Sequence, residues 1–248
     1  MINYDITGKV AVVTGGSHGI GLAVAHKLDN QGCKVVICAR DRAKLNAFCD
    51  NRPCSMGIVF DAQEPGTIPE VIAEVVAEYG GVDILVNNVG GGGRWGAELV
   101  EETKLNVWEE VYTKNAVAAT LFTRYVIPYM RRKHWGRVVT VASLYGKEGG
   151  GRPWFTMAKA AEIALMKSLA LMPYLVRDGL TFNTVAPGHI AIPGTGSDAE
   201  MDKGNELPLG RMGTPEEVAS VVVFLCSKQA SLVNGACISV DGGESRSY

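Results

Sequence analysis

The chain has 248 residues, of which 47% are hydrophobic and 20% charged, and its formal net charge at pH 7 is −2. The apolar fraction excludes a disordered chain, and the near-neutral balance argues against a nucleic-acid binder, which usually presents a strongly basic face. No apolar run in the sequence approaches the roughly 18–20 residues that span a bilayer. The first residues lack the basic and then apolar layout of a signal peptide. We therefore expect a cytoplasmic protein with no membrane or nucleic-acid partner.

Short apolar runs rich in β-branched residues predict about seven strands, at residues 10–13, 35–38, 57–60, 84–86, 138–141, 181–185 and 237–240. The runs are continuous rather than alternating, which is typical of strands covered on both faces. Stretches of helical period lie between them, at residues 20–31, 68–79, 107–132, 155–176 and 215–225. Strands that alternate with helices form right-handed crossovers. The pattern therefore predicts one α/β domain over residues 1–248, a doubly wound parallel sheet with helices on both faces.

Three segments rich in glycine or proline predict loops, at residues 90–96, 147–153 and 192–209. The last is long enough to be a substrate lid. The six cysteines include no Cys-x-x-Cys pair and do not cluster in sequence with the four histidines. This spacing favours buried, reduced thiols over a metal site.

The first predicted strand leads into a glycine-rich turn and then a helix. The turn reads Thr14-Gly15-Gly16-Ser17-His18-Gly19-Ile20-Gly21. Glycines permit a tight turn and a close approach of the backbone, so that a pyrophosphate can sit at the helix N-terminus. The order strand, turn, helix is the context that such a motif requires.

The chain resembles the short-chain dehydrogenases/reductases over nearly its whole length. The resemblance rests on that turn and on further motifs in the family's order, namely Asp61, Asn87-Asn88-Val89-Gly90, Asn115, Ser143, Lys159, Pro187-Gly188 and Val240-Asp241-Gly242-Gly243. It implies a Rossmann fold and a nicotinamide dinucleotide cofactor. It also implies a small-molecule substrate, on which an alcohol and a carbonyl are interconverted.

The end of the second predicted strand bears on the choice of dinucleotide. An acid there would bind the ribose 2′-hydroxyl of NAD, whereas an arginine accommodates the 2′-phosphate of NADP. Ala39 stands at the position where the family usually has the acid, and Arg40 follows it. Arg40 could instead pair with Asp41 at the surface, but we favour NADP. By the family pattern the cofactor-binding residues are Gly15, Ser17, His18, Gly19, Ile20, Gly21, Arg40, Asp61, Ala62, Asn88, Lys159, Pro187, Gly188 and Ile190.

The resemblance also implies a catalytic set of asparagine, serine, tyrosine and lysine. Asn115, Ser143 and Lys159 match three members, but Phe155 stands four residues before Lys159, where the family has tyrosine. In the family, a nearby ammonium lowers the phenol pKa from its usual value of about 10. Phenylalanine keeps the ring and lacks the hydroxyl. We therefore expect the fold and cofactor binding to be retained and turnover to be impaired.

Two explanations for Phe155 remain open. It could be a deliberate replacement of tyrosine that traps substrate unreacted, or the natural protein could be a dinucleotide-binding or regulatory relative. The first is favoured because Asn115, Ser143 and Lys159 are all retained.

Loops at the carboxyl ends of the strands supply the candidate substrate residues, which are Arg94, Trp95, Lys147, Arg152, Trp154 and His189. Their cationic members would suit a carboxylate or phosphate on a small polar substrate, such as a sugar derivative, a hydroxy acid or an acyl thioester. Alternatively, the cations face water and the tryptophans cover the core, and the substrate is a neutral alcohol.

The predicted helices 107–132 and 155–176 carry small and apolar residues on more than one face. A helix that is apolar around much of its circumference needs a second partner. Relatives commonly pair these two helices across a two-fold axis, so the expected assembly is a homotetramer.

Overall fold

The computed structural model describes residues 3–93, 95–193 and 204–247. Within them, a seven-stranded parallel sheet has the order β3-β2-β1-β4-β5-β6-β7. The strands are β1 (Val10–Thr14), β2 (Lys34–Ala39), β3 (Met56–Val59), β4 (Ile84–Asn87), β5 (Gly136–Val141), β6 (Leu180–Pro187) and β7 (Cys237–Val240). The predicted Rossmann sheet is confirmed, with most strand boundaries moved by one or two residues.

The α-helices of the described residues lie on both faces of the sheet. They are α1 (Gly19–Asp29), α2 (Arg42–Cys49), α3 (Ile68–Tyr79), α4 (Leu105–Tyr112), α5 (Ala118–Arg132), α6 (Leu144–Glu148), α7 (Pro153–Ala170), α8 (Pro173–Val176) and α9 (Pro215–Leu225). Helix α2 was not predicted. Its N-terminus is capped by Asp41, whose Oδ1 accepts a hydrogen bond from the Lys44 backbone N–H at 3.2 Å.

The continuous apolar pattern of the strands follows from burial on both faces. In β1, Ala11 and Val13 belong to the core on the face covered by α1 and α9. Val10 and Val12 belong to the opposite core, which α3 and α5 cover. Because successive residues of a strand point to opposite faces, every position of β1 needs an apolar or hydrogen-bonded side chain.

The predicted helix 107–132 is interrupted, because residues Thr113–Val117 form a π-helical turn between α4 and α5. The sequence pattern did not show this turn, and π-helical turns often occur at functional sites. The predicted helix 155–176 was wrong as one helix. It ends at Ala170, and Pro173 begins the short helix α8 because proline cannot continue the hydrogen-bond ladder.

The predicted loops are corrected in part. Segment 147–153 begins inside α6 and ends at the first residue of α7, so only residues 149–152 are irregular. Of the predicted lid at 192–209, residues 194–203 lie outside the described part of the chain. Among the cysteines, Cys33, Cys38 and Cys226 are buried as expected, whereas Cys54 is exposed.

No helix in the described ranges is long and apolar enough to cross a membrane. The same ranges contain no cluster of three or more histidine, cysteine or acidic side chains that could bind a metal ion.

Asp83, directly before β4, connects the first residue of β1 with Lys133 at the end of α5. Its buried carboxylate accepts a hydrogen bond from the Val10 backbone N–H at 2.9 Å and pairs with Lys133 Nζ at 3.0 Å. We expect Asp83→Ala to lower the free energy of unfolding by about 2–3 kcal/mol, because the Val10 N–H loses its partner. Urea denaturation measures this. Asp178→Ala, which removes a surface partner of Arg131, is the control and should change stability far less; equal losses would contradict the assignment.

Candidate active site

A cleft of about 790 Å³ opens beside the carboxyl ends of β1, β2, β4 and β5. The chain leaves β1 for β2 on one side and later adds β4 on the other, so the loops after β1 and β4 diverge. Such a switch point is where open α/β sheets bind ligands. Of the residues singled out in the sequence, the cleft is lined by Gly15, Ser17, His18, Gly19, Ile20, Arg40, Asp61, Ala62, Asn88, Trp95, Phe155 and Lys159.

The glycine-rich turn forms one wall and ends at the N-terminus of α1. Gly15 and Gly19 have φ angles of 66° and 53°, which L side chains rarely adopt. Gly21 lies behind the turn, where a Cβ would overlap Gly15 O and Asn88 Nδ2. The glycines are therefore required both for the conformation of the turn and for its close packing.

Several cations surround the end of the cleft near β2. They include Arg40 and two residues that the sequence analysis did not single out, Lys44 and Lys114. Burial and the nearby Lys44, Lys114 and Arg40 hold the pKa of His18 below its usual value. A neutral His18 can donate or accept a hydrogen bond at this positively charged end.

The surface pairing of Arg40 with Asp41 is not found. Among the ion pairs of the described residues, none joins these two side chains, and the Asp41 carboxylate caps α2 instead. Arg40 is exposed at the cleft edge, where its guanidinium can reach a ligand.

At the other end, α7 brings Phe155 and Lys159 to the cleft. Lys159 Nζ lies 5.9 Å from the centroid of the Phe155 ring and donates a hydrogen bond to Val141 O at 3.1 Å. The resemblance alone suggested this pairing of an aromatic ring and an ammonium, and the structure brings both to one wall.

Asn115 and Ser143 lie close to this wall without lining the cleft. Asn115, on the π-helical turn, is fully buried. Its side-chain amide accepts from Gly91 N at 3.1 Å and donates to Gly91 O at 2.9 Å and Val111 O at 2.7 Å. Ser143 follows the lining residue Ala142, and its hydroxyl accepts from Tyr145 N at 3.3 Å. In this arrangement Asn115 supports the loop after β4.

Lys159 has a buried partner that the sequence analysis missed. Its Nζ lies 3.0 Å from Glu162 Oε2 and 3.3 Å from Glu162 Oε1, and the two side chains are only 5% and 2% exposed. Burial raises the pKa of Glu162, and the Lys159 ammonium acts in the opposite direction. The sequence contained a signal for this buried carboxylate. Ala158, Glu162 and Met166 are spaced four residues apart on one helix face, so Glu162 interrupts an apolar stripe.

The segment after β6 contributes less to the cleft than the family pattern implies. Pro187, Gly188 and Ile190 lie outside the lining, and Ile190 pairs with Gly213 in an isolated bridge. Ile192, two residues further on, does line the cleft.

Most of the candidate substrate residues lie elsewhere. Trp95 lines the cleft, with Lys114 Nζ 4.7 Å from its ring centroid. Arg94 is outside the described residues. Arg152 occupies the N-cap position of α7, away from the cleft lining.

Three further candidate substrate residues lie outside the lining of the cleft and have structural partners. Trp154 is fully buried, and its ring centroid lies 5.1 Å from that of Trp108. Lys147 donates to Ser239 Oγ of β7 at 2.8 Å. His189 contacts Glu244 and lines a separate cavity of about 140 Å³.

The parallel sheet and the cleft beside its glycine-rich turn define a Rossmann-class α/β protein. A family model described as "Enoyl-(Acyl carrier protein) reductase" matches residues 13–245. The 3-oxoacyl-(acyl-carrier-protein) reductase FabG of Escherichia coli is 34% identical over 247 residues, which cover 98% of each chain. The FabG of Aquifex aeolicus is 35% identical over 251 residues, or 98% of this chain and 99% of that one.

A solved structure extends the likeness to three dimensions. A variant of the actinorhodin polyketide ketoreductase with NADPH superposes with a TM-score of 0.87 at 30% identity, covering 99% of this chain and 100% of that one. The chain belongs to the short-chain dehydrogenase/reductase family.

Gly90 tests the packing of the cleft wall. A Cβ there would overlap Asn115 Oδ1 and lie 3.0 Å from Lys159 Nζ. We expect Gly90→Ala to lower the free energy of unfolding by about 1–3 kcal/mol, because both neighbours are held by other bonds. At Gly66 a Cβ would meet nothing within 4 Å, so Gly66→Ala is the control. Chemical denaturation compares the two, and an unchanged Gly90→Ala midpoint would contradict this packing.

Proposed function

We propose that the chain is an NADP-dependent oxidoreductase of a secondary alcohol/carbonyl pair in which Phe155 impairs turnover. One observation carries the proposal: a single cleft has the glycine turn and Arg40 at one end and Phe155 with Lys159 at the other. The reductase relatives and the NADPH of the ketoreductase structure support the same reaction class.

The residues present fit a dinucleotide. Gly15 and Gly19, whose positive φ angles shape the turn, line the cleft beside the N-terminus of α1, where a pyrophosphate can approach the backbone closely. Arg40, with Lys44 beside it, presents positive charge where a ribose 2′-phosphate would lie. Lys159 would hold the ribose hydroxyls at the nicotinamide end.

The bound cofactor supplies a hydride for the carbonyl carbon, and the carbonyl oxygen must then gain a proton. Phe155 has no hydroxyl to donate it, so this wall can hold the substrate and exclude water but lacks the family's proton donor. General acid catalysis contributes typically 10²–10⁴-fold. We therefore expect weak turnover with binding retained.

The substrate assignment changes with the geometry. Lys147, Arg152 and His189 do not line the cleft, so they no longer favour an anionic substrate. Trp95 remains and offers an aromatic surface beside the reacting end. Among the classes expected, an acyl thioester carrying a ketone is supported by the names of the relatives. A homotetramer remains a prediction.

A second candidate is a non-catalytic dinucleotide-binding or regulatory protein. It is favoured by the buried Lys159–Glu162 pair, because the ammonium already has a counter-charge and needs no phenolate. Such a protein would bind NADP and would not transfer a proton to a substrate.

Arg40 tests the choice of cofactor. We expect Arg40→Ala to weaken NADPH binding at least about tenfold and to leave NADH binding nearly unchanged, because only NADPH carries the 2′-phosphate. Calorimetric titration measures both affinities. Arg42→Ala is the matched control, since Arg42 begins α2 and does not line the cleft. An unchanged affinity ratio in Arg40→Ala would contradict the NADP assignment.

Phe155→Tyr tests whether the missing hydroxyl limits turnover. We expect it to raise turnover by about 10²-fold or more on a panel of keto thioesters, keto acids and sugars, followed by nicotinamide absorbance. The double variant Phe155→Tyr/Lys159→Met should lose most of that gain, because the ammonium stabilises the phenolate. If the unaltered chain and Phe155→Tyr both bind NADPH and stay inert, the regulatory function gains support instead.

A further inference from the structure

We propose that Glu162 is a positioning residue that holds the Lys159 ammonium at the cleft wall. Binding of the nicotinamide half of NADPH then depends on the Glu162 carboxylate, although this carboxylate does not contact the cofactor. The inference rests on the proposed function, because Lys159 is assigned there to the nicotinamide ribose. Glu162 has no other role in the proposed reaction.

The hydrogen bonds of Lys159 Nζ show how the ammonium is fixed. A lysine ammonium has three N–H donors. Among the described residues, its hydrogen bonds go to Val141 O at 3.1 Å and to the Glu162 carboxylate at 3.0 and 3.3 Å. Two acceptor groups therefore orient Nζ, which leaves one donor for the cleft that Lys159 also lines.

Burial makes the carboxylate necessary for the ammonium. Moving one charge out of water without a partner is costly, and breaking a buried pair by removing one member is strongly unfavourable. Lys114, the neighbouring cation of the cleft, adds repulsion, since Lys159 is among the charges that lower the pKa of Lys114. Without Glu162, the buried Lys159 ammonium would lose its only charged partner among the described residues, and its side chain would turn toward water.

Glu162 is placed to act through Lys159 alone. It lies one helical turn further along α7 and is 2% exposed, and it does not line the cleft. In the described part of the chain, both hydrogen bonds of its carboxylate come from Lys159. A change at Glu162 therefore reaches a ligand through the position of Lys159.

Calorimetric titration measures how Glu162→Gln changes the affinities for NADPH and for 2′,5′-ADP, first in the unaltered chain and then in Lys159→Met. NADPH reaches both ends of the cleft, whereas 2′,5′-ADP carries only the adenosine half. Glu162→Gln, which keeps one acceptor oxygen, should weaken NADPH binding roughly tenfold, the loss expected when the misplaced Lys159 ammonium no longer makes its charged hydrogen bond to the ribose. Binding of 2′,5′-ADP should be unchanged. In the Lys159→Met background, adding Glu162→Gln should leave the affinity for NADPH unchanged.

The other outcomes overturn the inference. Equal weakening of both ligands, or the same weakening in the Lys159→Met background, would mean that Glu162 only supports the fold. An unchanged NADPH affinity in Glu162→Gln would mean that it does not position Lys159. Failure of the unaltered chain to bind NADPH would overturn the proposed function itself and the inference with it.

A second variant covers the case in which Glu162→Gln does not fold, which thermal unfolding would reveal. Glu162→Asp keeps the charge but shortens the side chain by one methylene, so Nζ must shift to follow it. The expected result is again weaker NADPH binding with unchanged binding of 2′,5′-ADP.

Discussion

The connection between the ends of β1 and β4 is the constraint on which the cleft depends. Thr14 Oγ1 accepts hydrogen bonds from the backbone N–H groups of Asn88 and Val89, both at 3.0 Å. In return, the Asn88 side chain donates to Thr14 O at 3.0 Å and Gly15 O at 3.2 Å. These bonds fasten the glycine turn to the loop after β4. The two loops that diverge at the switch point are thus hydrogen-bonded to each other at the base of the cleft.

Charge is distributed unevenly along that cleft. Arg40 and Lys44 at the β2 end are accessible from the cleft, as anion-binding groups need to be. At the α7 end, the ammonium of Lys159 is buried and paired with Glu162. The cations at the β2 end can attract an anionic ligand directly, whereas the Lys159 ammonium is held in place by a contact within the protein. Phe155 is consistent with an internally paired Lys159, because its ring has no hydroxyl that would compete with Glu162 for the ammonium.

The sequence predicted the sheet well, because burial on both faces leaves a continuous apolar pattern. It predicted the cleft residues of the glycine turn because glycine motifs have a local conformational cause. The structural contacts of Trp154 and Lys147 were not predicted, since composition near a loop does not reveal a long-range partner such as Trp108 or Ser239. Glu162 was missed for the same reason: its role depends on a buried contact rather than on a motif.

A crystal structure of the unaltered chain with NADPH would test the account most directly. We expect the 2′-phosphate within hydrogen-bond distance of the Arg40 guanidinium, the pyrophosphate at the N-terminus of α1, and the nicotinamide ribose on Lys159 Nζ. The Lys159–Glu162 contact should remain. NADPH bound outside this cleft, or bound with its adenosine end at Lys159, would contradict it.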